Sequence, residues 1–375
     1  MKTPSRSIAI GALVGAVLTL APQVSAVPFA PSALAGAAAA KYVPGEVLVK
    51  FKPAASMQQR AATMAARGHA VLVNLEQPGW AQVRLGAGQT VETALTAYGN
   101  DPNVEYVQPN YIYHAAVAPN DTQYGQLWAF KNTGQTVGTF PPTSGAVGND
   151  MNIEPAWGLI TDCSSVVVAV VDSGVNYNQE DLAANMWNGN LKHGFDFVDN
   201  DDDPMDLNGH GTHVAGIIGA VGNNAKGTTG VCQKASIMAV RVLDATGSGT
   251  TATIAQGVNF AVIHGAKVVN MSLGGGGFDP IFSAAITTAQ NSDVVVIVAA
   301  GNENSNNDVT AFYPCNFTQP NLVCVAALDP NYALASFSNW GATSVDVGAP
   351  GTNILSTWAG TATTITDNFN TGGVL

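Results

Sequence analysis

The chain has 375 residues, long enough for one large domain and a smaller companion, and with 46% hydrophobic and 11% charged residues it has the makings of a substantial apolar core. Its net charge of −12 leaves nothing to compensate phosphates, which excludes nucleic acid as a partner; acidity of this kind serves solubility or cation binding. Residues 1–26 read as a secretory signal: Lys2 and Arg6 charge its start, residues 8–20 are apolar, and Val24-Ser25-Ala26 offers a small-residue cleavage site. The apolar stretch is shorter than the roughly 20 residues a membrane span needs. No later segment combines that length with that apolarity, so a secreted product with no membrane attachment after signal removal is expected. Residues 27–40, rich in Ala and Pro, read as a linker.

From Gly45 onward an α+β pattern begins. Residues 46–51 alternate as a strand and 57–67 follow as a helix. Short strands come at 71–75 and 82–85, a helix at 91–98 and a last strand at 104–107. The order βαββαβ predicts a small ferredoxin-like α+β domain over 41–115. The Ala-rich stretch around His114–Asn120, with Pro119, is a second break. Beyond it, from 119 to 375, the pattern becomes α/β. Continuous apolar runs at 166–171, 236–243, 267–273, 293–300 and 322–328 suit parallel strands buried on both faces. Helical stretches at 210–220, 250–264 and 281–290 lie among them, so the expected fold is a doubly wound, mostly parallel sheet with its site at the carboxyl ends of the strands. Cys163, Cys232, Cys315 and Cys324 do not have zinc-ribbon spacing and fit two disulfides in an oxidising compartment.

The residues at the strand ends carry chemistry. Asp172 closes the run Val-Val-Asp172-Ser-Gly, Asn208-Gly-His210-Gly-Thr-His213 opens a helix, and Ala299-Ala-Gly-Asn302 ends another strand. An imidazole that titrates near neutrality can take a proton from a hydroxyl nucleophile. A carboxylate on its far nitrogen fixes the tautomer and stabilises the imidazolium. His210 with His213 also invites a metal reading, but no glutamate or third ligand stands at a metalloprotease spacing.

These motifs, in this order, resemble those of the subtilisin-like serine proteases, the subtilase family, over about residues 119–351. The resemblance implies a secreted serine endopeptidase that hydrolyses peptide bonds by Asp-His-Ser acyl transfer, with Asp172 and His210 as triad members and Asn302 as oxyanion donor. Gly247, Ser248 and Gly249, with Ser272, Leu273 and Gly274, resemble the edges that pair with an extended polypeptide substrate. The domain at 41–115 resembles the family's propeptide, an intramolecular inhibitor, on Pro44-Gly-Glu-Val-Leu-Val-Lys-Phe51 and residues 101–111. The loop Val221-Gly-Asn223-Asn-Ala225-Lys-Gly227 with Asp181 resembles a structural calcium site, and these five numbered residues other than Lys226 are the expected ligands. The acidic run at 199–206 is either a second cation site or a solvated loop. Pairing of Cys163 with Cys232 follows from the strand neighbours the resemblance implies, and Cys315 is expected to pair with Cys324 across the short loop before the strand at 322. A monomer is expected.

One departure stands out. The family's serine motif should follow the segment resembled by Gly348-Ala-Pro-Gly-Thr-Asn-Ile-Leu-Ser356, but residues 357–375 contain no serine, and Ser356 lies in the wrong motif. The expectation is a catalytic domain incomplete at its C-terminus. The alternative is a catalytically inactive, calcium-stabilised peptide-binding relative.

Overall fold

The computed structural model describes residues 42–112, 118–138, 142–189, 191–359 and, for backbone only, 364–367. The signal and linker expectations at 1–26 and 27–40 lie outside these residues, as does part of the second break, at 113–117.

In the N-terminal part, strands β1 (Tyr42–Phe51), β2 (Ala70–Asn74), β3 (Trp80–Arg84) and β4 (Val104–Tyr111) form an antiparallel sheet in the order β2-β3-β1-β4. Helices α1 (Met57–Ala65) and α2 (Val91–Gly99) follow β1 and β3. Ser56 starts α1 with a capping box to Gln59, and the Thr90 hydroxyl accepts from Thr93 N–H at the start of α2. Alternate residues Val47, Val49 and Phe51 of β1 pack with Met64, Ala94 and Tyr98 of the helices. This is the expected βαββαβ domain, with β1 and β4 extending several residues beyond the forecast.

The C-terminal part opens with irregular chain, a two-stranded pair of β5 (Thr136–Val137) and β6 (Thr143–Ser144), and the short helix α3 (Ile153–Trp157). Its main sheet contains β7 (Asp162–Asp172), β8 (Gly194–Asp196), β9 (Lys234–Arg241), β10 (Val268–Met271), β11 (Val295–Ala299), β12 (Leu322–Leu328) and β13 (Val347–Pro350). All pairs in it are parallel, in the order β13-β12-β11-β10-β7-β9-β8. Chain order reverses at β7, which has β9 on one side and β10 on the other. That reversal leaves a crevice at the carboxyl end of β7, where open α/β sheets bind ligands.

Burial on both faces explains the unbroken apolar runs. Ala169 and Val171 of β7 face α5 (Thr251–Ile263) and α6 (Pro280–Asn291) through Val258, Ala261 and Ile286. Val170, between them, faces Val214 and Ala215 of α4 (His210–Gly219) on the opposite side. The sheet is therefore doubly wound. Strand β14 (Ile354–Thr357) pairs antiparallel with β15 (Thr364–Asp367). β14 is also tied to α4: the Thr357 hydroxyl donates to the Thr212 carbonyl at 2.8 Å.

Both expected disulfides form, Cys163–Cys232 with Cα atoms 6.0 Å apart and Cys315–Cys324 with Cα atoms 5.1 Å apart. The first joins the starts of the adjacent strands β7 and β9.

Candidate active site

Asp172 is the last residue of β7 and is fully buried. Its Oδ1 accepts from Ser173 N–H at 2.7 Å and lies 2.8 Å from His210 Nδ1. Its Oδ2, also buried, meets no hydrogen-bond donor among the described residues. His210 is the first residue of α4, after Gly209 in a left-handed conformation (φ 112°) that only glycine adopts without strain. Gly211 permits the close approach of helix to strand, since a Cβ there would lie 2.1 Å from the Gly174 carbonyl oxygen.

The turn presenting His210 is braced by Asp206, a residue that the sequence offers only as part of the acidic run at 199–206. One carboxylate oxygen accepts from Asn208 N–H, Gly209 N–H and the Ser173 hydroxyl, and the other from the N–H and hydroxyl of Thr212, all at 2.6–2.9 Å. Ser173 Oγ in turn accepts from Gly211 N–H at 3.0 Å. Strand end and helix start are thereby one hydrogen-bonded unit. The signal was local, an aspartate shortly before a helix, and such a residue ordinarily reads as a cap.

Asn302 follows Gly301 (φ 110°) beyond the end of β11. Its loop is organised by an unforeseen residue, the buried Asn339. Asn339 Oδ1 accepts from Glu303 N–H and Ser305 N–H, its Nδ2 donates to Glu303 Oε2 and Asn307 Oδ1, and its N–H donates to the Gly301 carbonyl.

His210 and Asn302 open onto one cleft of about 910 Å³, with Asp172 buried behind the histidine. The same cleft is edged by Gly247, Ser248 and Gly249 on one side and by Ser272, Leu273 and Gly274, leading out of β10, on the other. All six expected substrate-contacting residues thus share a surface with the His210 imidazole. Ser356 does not. It is 1% exposed within β14, and its hydroxyl donates to the His213 carbonyl at 2.7 Å. His213 is likewise buried, with Nε2 3.1 Å from the Ile354 carbonyl oxygen, a structural role that removes the metal reading of the histidine pair.

Of the residues expected to hold calcium, the structure groups only some. Asp181 Oδ1 accepts from Asn224 Nδ2 at 2.6 Å and Oδ2 from Thr228 N–H at 2.8 Å, while its carbonyl accepts from Val221 N–H. The Asn223 amide instead donates to Gln233 Oε1 at 2.7 Å. Asn223 and Ala225 have positive φ (58° and 60°), so the loop turns at both residues. Asp121, about a hundred residues upstream, completes the group by accepting from Asn223 N–H and Asn224 N–H. Lys226 points outward to Glu180 at 2.6 Å. Burial, reinforced by Asp121 and Glu180, pushes the Asp181 carboxyl above its ordinary range. The acidic run at 199–206 is dispersed among separate partners, with Asp199 on Arg241, Asp203 on Lys192 and Tyr177, and Asp206 beneath His210. No group of three or more His, Cys, Asp or Glu side chains poised for a metal occurs among the described residues.

The subtilase family profile matches residues 164–373, more than half of the chain. The chain belongs to the subtilase family. A fervidolysin N-terminal prodomain profile matches residues 28–110. A thermophilic serine proteinase from Bacillus sp. (strain AK1) is 38% identical over 320 residues, covering 85% of this chain and 72% of that protein. Thermitase from Thermoactinomyces vulgaris is 45% identical over 203 residues, covering 54% and 68%. Among solved structures, a protease from Pseudoalteromonas arctica aligns with a TM-score of 0.55 at 31% identity, over 67% of this chain and 80% of its own. By family this subtilase is a serine-type endopeptidase preceded by a prodomain.

Proposed function

We propose that this subtilase is a secreted endopeptidase in which Asp172, His210 and Asn302 perform the acyl-transfer chemistry on an extended polypeptide bound along residues 247–249 and 272–274. The observation that carries this reading is the 2.8 Å contact of His210 Nδ1 with the buried Asp172, in a cleft that His210 shares with Asn302. His210 Nε2 takes the proton of the nucleophilic hydroxyl as it attacks the scissile carbonyl. Asp172 keeps the imidazole in the required tautomer and stabilises the cation that forms. Asn302 donates its side-chain amide to the oxyanion of the tetrahedral intermediate. His210 then returns the proton to the leaving amine, and water enters by the reverse sequence to release the acyl group. Ser356 is committed to the His213 carbonyl, and residues 357–375 contain no serine. The nucleophile is therefore neither Ser356 nor a residue of 357–375.

The prodomain is proposed to inhibit the protease in the same chain until the segment near residue 115 is cut. Secretion by the leader at 1–26 is supported by the two disulfides and by extracellular relatives such as that of Xanthomonas campestris. No helix among the described residues is long and apolar enough to cross a membrane.

A structural calcium ion is proposed at the 221–228 loop, and the donor set fits it. Asp121 and Asp181 are 4% and 1% exposed, and only N–H donors meet them. Two buried carboxylates facing one loop call for a hard cation. Asp121, Asp181, the Asn224 amide and loop carbonyls beginning at Val221 would hold it. Bound, the ion supplies positive charge that pins the loop; it takes no part in the chemistry.

The test uses the protein in its full encoded length on a chromogenic peptide. In subtilisin, a relative, losing the catalytic histidine costs about 10⁶ in kcat, and losing the oxyanion amide about 10²–10³. His210→Ala and Asn302→Ala should show losses of those orders with little change in KM. Full activity of either variant defeats the assignment.

A further inference from the structure

The recess beside Asn302 has a floor that the proposed chemistry does not use. Its two walls are the backbone at Gly274 and the backbone at Gly301, and between them lies the ring of Phe312. A Cβ on Gly274 would come within 2.3 Å of Phe312 Cε1 and 2.7 Å of Cζ, and a Cβ on Gly301 within 3.1 Å of the same Cε1. The ring is therefore in contact with both walls at the points where both are glycine, and it lines the cleft together with Asn302.

The backbone that carries the ring is held in place. Phe312 N–H donates to Asn316 Oδ1 at 2.8 Å, and Asn316 Nδ2 donates to the Asn307 carbonyl at 2.9 Å. The Tyr313 carbonyl accepts from Gly275 N–H at 2.8 Å, joining floor to wall. Three residues after the phenylalanine, Cys315 is bonded to Cys324 of β12. The backbone that carries the ring cannot withdraw without moving this bonded unit.

A substrate carbonyl that accepts from the Asn302 amide sits about 2.9 Å from it. The α-carbon of the same residue is one bond of about 1.5 Å away. Its side chain therefore starts beside Asn302, between Gly274 and Gly301, with Phe312 ahead of it. We propose that Phe312 shortens the pocket for the residue on the acyl side of the scissile bond, so that this subtilase selects Ala, Ser or Gly there and rejects Phe, Tyr and Leu. Discrimination of this kind is steric, through a pocket that cannot deepen. The inference rests on the endopeptidase reading above and adds the substrate class.

The experiment compares kcat/KM of the full-length protein on four peptide p-nitroanilides differing only at the residue before the anilide, with Ala, Leu, Phe or Lys there. The expected result is a preference for Ala over Phe of at least tenfold, and in Phe312→Ala and Phe312→Gly a rise of at least tenfold in the Phe-to-Ala ratio. A wild-type preference for Phe, Leu or Lys overturns the proposal even if neither variant folds, and so does a ratio that both variants leave unchanged. Cleavage that survives His210→Ala on every peptide would instead defeat the endopeptidase reading. A His210-dependent preference for Phe would defeat only the role of Phe312.

Discussion

Asp206 uses both carboxylate oxygens on the turn that presents His210, and it is only 6% exposed. Removing it strands the N–H groups of Asn208, Gly209 and Thr212 together with the hydroxyls of Ser173 and Thr212. Asp206→Ala should lower stability by about 2–4 kcal/mol in urea unfolding, more than an exposed aspartate would. A loss under about 0.5 kcal/mol would show that the turn holds without it. Asp308 ties the loop after Asn302 to residues 342–344, accepting from the Ser344 and Thr343 hydroxyls and from Ala342 N–H. These bonds, the Ser344 hydroxyl foremost, lower its carboxyl to about 2. A depressed carboxyl stabilises the fold above its unfolded-state value, near 4, and the contribution fades as pH falls through about 2. Asp308→Asn should therefore melt below wild type at pH 7, with the gap closing between pH 4 and pH 2. A gap independent of pH would mean that the charge is not what matters there.

The elements differ in how plainly the sequence announces them. β7, β9, β10, β11 and β12 are legible because burial on both faces leaves continuous runs of Val, Ile and Ala. β8 and β13 are not: one has three residues, the other contains Gly and Pro, and both are held at sheet edges by neighbours already in place. The same division runs through the site. Asp172, His210 and Asn302 each stand in a compact motif of small residues. Asp121 and Asn339 act on loops dozens of residues away, and no periodicity connects them to their partners. In the loop at 221–227 an alternating pattern points to Asn223, and the structure, with left-handed residues at 223 and 225, also brings the Asn224 amide to Asp181. If this loop holds calcium, the ion at a hundredfold excess over its dissociation constant should add about 2.7 kcal/mol to stability at pH 7. Asp181→Asn should abolish that gain and Asn223→Ala should leave most of it, as calorimetry with and without calcium will show. Equal gains in wild type and Asp181→Asn would remove the ion from this loop.

Over the whole molecule the acidity is uneven. Residues 42–112 balance five basic with five acidic side chains, whereas residues 118–375 carry six basic and 21 acidic. The negative charge therefore belongs to the protease part, and the inhibition proposed for the prodomain would not rest on net attraction between opposite charges. Within the protease part, the reversal of strand order at β7 brings residues from three strand ends and one helix start to a single cleft, and the account depends on His210 activating a serine there. The most direct test treats the full-length protein with a fluorophosphonate probe and maps the labelled residue by mass spectrometry, in wild type and in His210→Ala. The account predicts one labelled serine, other than Ser356, and labelling slowed by several orders of magnitude in His210→Ala. Labelling at Ser356, or labelling at a rate indifferent to His210, would contradict it.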